Sequence, residues 1–244
     1  MHTVLRILSA ALIPTGCAVS WLGCGEKSAK HPPGGEPASF QELSTDECVK
    51  LLAHRSAIVR RQAVAELAAR GRSVVPLVAR QLAQKGNSPA RSAAAEVLAK
   101  LGPEAAEAVP VLAEAIFDRG WTGRELAAAA LGEIGPSAAS AVGALTTVLR
   151  EDEEPPVRMA AARALGRLAS AGVVLPSEAL KALLEALKDS DPTIQAEAAE
   201  ALGNCSNPPP EVVTALENLA RSETFIVRQA AEEALRRLRN PRGK

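Results

Sequence analysis

The chain has 244 residues with two tryptophans, three phenylalanines and no tyrosine, so a core built on large aromatic side chains is excluded. Its apolar share is mostly alanine, leucine and valine, which suits helices packed closely through small side chains, alanine being the strongest helix former. The 28 basic and 28 acidic residues cancel. Proteins that grip a polyanion carry a basic excess, so no nucleic acid is expected as a partner.

Residues 1–24 differ in kind from the rest. Arg6 precedes an apolar stretch from about Ile7 to Leu22, followed by Gly23, Cys24 and Gly25. The segment resembles a bacterial lipoprotein signal, in which the cysteine is lipidated and becomes the new N-terminus. By that resemblance Cys24 is the lipidation site and Cys17 its rival. Trp21 and Leu22 before Cys24, and Pro14 before Cys17, both depart from the usual small-residue pattern. An uncleaved anchor or an ordinary signal peptide is the alternative, and in every case the segment is kept out of the fold. The expected location is the bacterial cell envelope, with the protein exported and held at the membrane; it is cytoplasmic if the signal reading fails. Residues 25–43 contain His31-Pro32-Pro33-Gly34-Gly35-Glu36-Pro37 and read as a flexible tether.

Six copies of one twelve-residue pattern come next, at 59–70, 90–101, 123–134, 157–168, 194–205 and 227–238. One column is pure alanine: Ala63, Ala94, Ala127, Ala161, Ala198 and Ala231. Four residues on comes pure leucine: Leu67, Leu98, Leu131, Leu165, Leu202 and Leu235. The second position is Arg60, Arg91, Arg124, Arg158 and Arg228, with Gln195 in the fifth copy. Starts 31, 33, 34, 37 and 33 residues apart signal a stacked helical array. At helical spacing the alanine and leucine columns share one stripe with Leu101, Ile134, Leu168 and Leu238, and that stripe faces neighbouring helices. Gly71, Gly102 and Gly135 close three of the helices, and Pro103 and Pro136 suit the first turn of the next helix. A second set of helices is expected over about 73–84, 104–117, 137–150, 177–188 and 209–220, with Pro76 and Pro110 delaying or kinking two of them. Ser44 and Glu47 form a capping-box signature for one earlier partial helix. The expected architecture is all-α, an α-solenoid of about six helix pairs over 44–239, with a basic tail at 240–244.

Helix pairs of this period, with an aspartate or proline turn before a Val-Arg-x-x-Ala-Ala-x-Ala-Leu-Gly segment, resemble HEAT repeats, most closely the short bacterial type also found in phycobilisome-lyase-like proteins. Residues 150–168 and 187–204 match best, with Asp152 and Pro155, then Asp189, Asp191 and Pro192, in the turns. His54 and Trp121 stand in turns where the family has an acid or proline. The resemblance implies a structural ladder between repeats built from Asp118, Asp152 and Asp189 with Arg60, Arg91, Arg124, Arg158 and Arg228, interrupted at Gln195.

No residues converge in the sequence as a reactive cluster. His2, His31 and His54 are scattered, no phosphate-binding glycine loop is present, and Glu151-Asp152-Glu153-Glu154 reads as a solvated loop. No cofactor and no metal are therefore expected. Cys205, in the column of Leu101, Ile134 and Leu168, reads as a buried small hydrophobe, and Cys48 faces inward beside Leu51 and Leu52. The helix face pointing away from the core carries Arg61, Glu96, Glu125, Met159, Arg163, Glu200, Gln229 and Glu233. In HEAT proteins this face lines the concave surface, and its mixed charge suits a protein or peptide segment. Trp121 and Phe225 share a column three residues before the arginine and are either rim anchors for that partner or plugs between repeats. The resulting expectation is a non-catalytic protein-interaction scaffold. A phycobilin-lyase-like enzyme or enzyme subunit is the alternative, on fold analogy. A DNA-binding HEAT protein is the second alternative, disfavoured by the missing basic stripe.

Overall fold

The computed structural model describes residues 40–240. The signal and lipidation readings at Cys24 and Cys17, the tether up to residue 39 and the last four residues of the basic tail lie outside these. Twelve α-helices run in six pairs, and there is no strand among the described residues. They are α1 Thr45–Leu51, α2 Ala57–Ala69, α3 Val75–Ala83, α4 Ser88–Leu101, α5 Val109–Ala115, α6 Arg124–Ile134, α7 Val142–Glu151, α8 Pro155–Ser170, α9 Ser177–Ala186, α10 Pro192–Gly203, α11 Pro210–Leu219 and α12 Phe225–Arg239. The even helices are the six copies of the pattern. None of the described helices is long and apolar enough to cross a membrane.

The predicted capping box forms at α1. Ser44 Oγ accepts from the Glu47 amide at 3.3 Å, and Glu47 Oε2 accepts from the Ser44 amide at 2.9 Å. Just before it, Phe40 and Leu43, read from sequence as the end of the tether, pack against the core, and Arg70 holds their carbonyls at 3.1 and 2.7 Å. Three odd helices start later than the spacing predicts. Short 3₁₀ segments, Gly71–Val74, Gly102–Ala108 and Gly135–Ala141, precede α3, α5 and α7. Pro76 and Pro110 fall in the first turn of α3 and α5, where a missing N–H costs nothing. Gly102 carries φ 54° and ψ −127°, a conformation closed to residues with a Cβ, so the chain turns there without strain and Pro103 begins the next segment.

Packing forms two layers. Successive even helices stack on one another from α2 to α12, and the odd helices and 3₁₀ segments cover them on one side. All six alanines of the pure column are fully buried, as are five of the six leucines; Leu235, in the last helix, is 7% exposed. The seam between even helices is tightest in the C-terminal half. A Cβ added at Gly132 or Gly166 would lie 3.0 Å from the Cα of Ala164 or Ala201, and one at Gly203 would lie 2.6 Å from that of Ala234. These glycines occupy one column of the repeat, which the first two copies fill with Ala68 and Ala99.

One buried position departs from the sequence expectation. Cys205 is half-buried rather than buried, because α10 stops at Gly203 and carries Cys205 past the helix end, where its thiol donates to the Ala201 carbonyl at 3.4 Å. Cys48 is fully buried as expected, and that burial pushes its thiol above the usual range and leaves it unreactive.

Three substitutions test this seam by chemical denaturation followed by circular dichroism. Leu131→Ala should cost about 3 kcal/mol through the cavity it opens. Gly203→Ala should cost about 1–3 kcal/mol by forcing α10 and α12 apart. Gly143→Ala, in α7 with nothing within 4 Å of the new methyl, should instead be neutral or stabilise by up to about 1 kcal/mol.

Candidate functional site

Each turn from an odd helix into an even one carries a residue six positions before the arginine column: His54, Lys85, Asp118, Asp152, Asp189 and Ser222. Five of the six accept a hydrogen bond from the amide two residues on. The acceptors are His54 Nδ1 for Ser56 at 3.1 Å, Asp118 Oδ1 for Gly120 at 3.1 Å and Asp152 Oδ1 for Glu154 at 2.9 Å. Asp189 Oδ1 takes the Asp191 amide at 2.9 Å and Ser222 Oγ that of Thr224 at 3.2 Å. An acceptor closes the turn, which is why histidine and serine serve beside aspartate. Lysine has no acceptor to offer.

The aspartates have a second task. Arg91 NH1 donates to Asp118 at 2.8 Å. Arg124 donates through Nε and NH2 to both oxygens of Asp152 at 3.1 and 2.9 Å, and Arg158 does the same to Asp189 at 2.9 and 3.1 Å. Each rung joins one repeat's even helix to the next repeat's turn. The ladder read from the sequence is therefore real in three rungs and absent at both ends. Arg60 and Arg228 meet no carboxylate among the described residues; for the first, the next turn offers Lys85 instead of an aspartate. Gln195 faces a turn with Ser222, so both charges are lost together there.

Trp121 is not on a rim. It is fully buried, its indole lies under the Arg91 guanidinium at 4.5 Å, and its Nε1 donates to Ser92 at 3.3 Å. It plugs the gap between two repeats and shields the Arg91–Asp118 rung, with the guanidinium of the preceding repeat stacked over its ring. Phe225, in the same column, is 64% exposed, since it opens the last even helix.

The outward face of the even helices holds two grooves at its ends. One, of about 220 Å³ between α2 and α4, is lined by Arg60, Arg61, Pro89, Ser92 and Glu96. The other, of about 570 Å³ between α10 and α12, is lined by Glu200, Ile226, Gln229, Glu232, Glu233 and Arg236. The side chains of Arg61, Glu96, Glu125, Glu200 and Gln229 form no hydrogen bond or ion pair with other described residues. Arg163 and Glu233, by contrast, are engaged, by Glu197 and by Arg236 and Arg237. Met159 is half-buried against the core, and neither it, Glu125 nor Arg163 lines either groove. Sequence reasoning missed a third groove, of about 650 Å³ between α9 and α11, lined by Leu184, Leu187, Ala215 and Leu219. Its signal was local: Pro208-Pro209-Pro210 starts α11 with no 3₁₀ segment to bridge it to α9. Among the described residues no cluster of histidine, cysteine and acids could hold a metal ion.

The pattern of HEAT repeats matches residues 45–132, 109–176 and 144–236. The chain belongs to the HEAT-repeat family. Solved structures of similar fold include an engineered protein at 22% identity and TM-score 0.58, covering 81% of this chain and 99% of that one. A designed armadillo repeat protein in complex with the peptide (KR)4 has 18% identity and TM-score 0.58, covering 80% and 100%. The complex of CpcE and CpcF of phycocyanin lyase from Nostoc sp. has 27% identity and TM-score 0.51, covering 66% and 98%. No curated protein matches the chain in sequence.

The rungs make stability depend on pH in a defined direction. Hydrogen bonding from Arg91 holds Asp118 below the usual carboxylate range. Burial raises Asp152 and Asp189, but bonds from Arg124, Arg158 and the turn amides outweigh it and leave both lowered. A carboxylate depressed in the folded state contributes fully above its unfolded pKa of about 3.9, and the contribution is lost as pH falls through the folded value. Urea midpoints should thus drop as pH falls below about 4. Asp152→Asn should cost about 3 kcal/mol at neutral pH, leaving Arg124 buried without its charge partner, and should flatten that pH dependence.

Proposed function

We propose that this HEAT-repeat array is a non-catalytic scaffold whose even-helix face binds a protein or peptide segment, and that Cys24 lipidation holds it at the bacterial cell envelope. The observation that carries the binding reading is the pair of open grooves whose charged side chains, Arg61, Glu96 and Glu200, form no hydrogen bond or ion pair inside the described protein. A core built from alanine and leucine needs no charge on that face, so the charges lining the grooves, with exposed Ile226 beside Glu200 in one of them, suit a complementary partner. The ladder pairs three of the repeat arginines with aspartates, and no hydrogen-bonded nucleophile–base pair stands among the described residues.

A second reading, an enzyme or enzyme subunit of the phycobilin-lyase kind, draws on the likeness to the CpcE–CpcF complex. It predicts a shifted bilin absorbance when phycocyanobilin is mixed with the purified chain; an unchanged spectrum sets it aside.

The scaffold reading predicts saturable capture of a partner by the full chain from an envelope extract of the source cells. Capture should fall at least tenfold in the charge-reversed double variant Arg61→Glu with Glu200→Lys. No saturable capture, or capture indifferent to the reversal, would end it. Mass spectrometry of the mature N-terminus tests the location, with a diacylated Cys24 expected and an unprocessed Met1 refuting it.

A further inference from the structure

We propose that Arg60 is a preoriented receptor for an aspartate side chain of the partner, which completes the first rung of the ladder. The proposal rests on the reading of the even-helix face as a partner-binding surface and names the chemistry of that partner at one end.

In the Arg158 rung the guanidinium is held from behind. Its NH1 donates to the carbonyls of Asp152 and Glu153 at 2.9 and 3.2 Å, six and five residues back, and this aims Nε and NH2 at Asp189. Arg60 repeats the first half of that arrangement. Its NH1 donates to the carbonyls of His54 and Arg55 at 2.7 and 3.0 Å, again six and five residues back. Its Nε and NH2 then find no acceptor among the described residues. The fork is in place and the carboxylate is missing, because the column residue of the next turn is Lys85.

The exchange is uncompensated. In the fifth repeat the arginine and the acid disappear together, as Gln195 and Ser222, and Gln195 Nε2 keeps only its bond to the Asp189 carbonyl at 2.6 Å. In the first repeat the arginine stays while the acid is inverted to a cation that also cannot close its own turn. Asn87 instead caps α4, accepting from the Ala90 amide at 3.1 Å. Lys85 acts on its other neighbour, helping to hold the Asp118 carboxyl low. Arg60 is half-buried and lines the groove between α2 and α4 together with Arg61, so the fork can be reached from the partner face. Glu96, the one acid lining that groove, forms an ion pair with neither arginine. A partly shielded, prepositioned guanidinium selects a planar carboxylate in bidentate contact, and the other rungs of this protein fill the place with an aspartate side chain.

The test uses the full chain and a fluorescein-labelled, C-terminally amidated Gly/Ser peptide with two central aspartates, set against its diasparagine counterpart. Fluorescence polarisation should show at least tenfold tighter binding of the aspartate peptide. Lys85→Asp, which supplies the rung from within, should erase that preference and raise the melting temperature. Lys85→Gln, neutral but unable to bind the fork as a carboxylate does, should keep the preference. Equal affinity of the wild-type chain for both peptides, or a preference that survives Lys85→Asp, would overturn the proposal. If the captured partner is lost on reversing Arg61 and Glu200 but kept by Lys85→Asp, the scaffold reading stands and the Arg60 assignment falls. An aspartate preference without any saturable partner leaves the receptor established and removes the scaffold reading.

Discussion

Close approach between successive even helices is the constraint on which the rest of this structure depends. Each helix presents a stripe only one methyl deep at the alanine column, and the leucine four residues on fills the space beside it. In α6, α8 and α10 a neighbouring column dispenses with the methyl altogether. Gly132, Gly166 and Gly203 lie so near the backbones of Ala164, Ala201 and Ala234 that a Cβ would collide. Such a seam is built from small and aliphatic side chains in repeating columns. Dispersion between many small groups supplies the attraction, and the repeat spacing supplies the order.

At three of the five junctions between even helices an electrostatic contact at the turns reinforces the register. One short side chain per turn accepts the amide two residues on, and where it is an aspartate its remaining lone pairs receive the arginine of the preceding repeat. A single carboxylate therefore closes its own turn and joins two repeats. The Arg124–Asp152 pair is nearly dry, and it is tolerated because Arg124 holds both carboxylate oxygens and the Trp121 carbonyl, while Asp152 also accepts the Glu154 amide. Exposed pairs such as Arg150–Glu185 decorate the surface and do no comparable structural work. The strong rungs occupy the middle of the array, where neighbours exist on both sides.

The proposed partner surface lies where this regular scheme lapses. The strong rungs lie in the interior of the array, and two of the open grooves sit near its ends, with arginines at one and mainly carboxylates at the other. An extended segment crossing both would meet charges of opposite sign, which orients it. The apolar groove between α9 and α11 arises from a lapse of another kind, the proline-rich entry to α11.

Much of this was legible in the linear pattern. The alanine and leucine columns recur at one phase of a 3.6-residue period, so their burial, the six pairs and the all-helical class follow from the order of residues alone, as does the capping box at Ser44. Gly102 announces its turn because only a residue without a Cβ suits it. Other features were not legible. Trp121 and Phe225 occupy one column, yet the first is buried and the second exposed; what differs is whether another repeat's arginine lies over the ring, a matter of neighbours in space. Cys205 kept its column and lost its burial because the helix ended two residues early. The rungs were suggested by residue type, but that Arg60 is aimed and unpaired while Gln195 is excused depends on which turn faces which helix. Local order along the chain determined the helices and their buried stripe, because those interactions span four residues. Only the tertiary structure decided which polar groups are satisfied, because each partner stands some thirty residues away in the adjoining repeat.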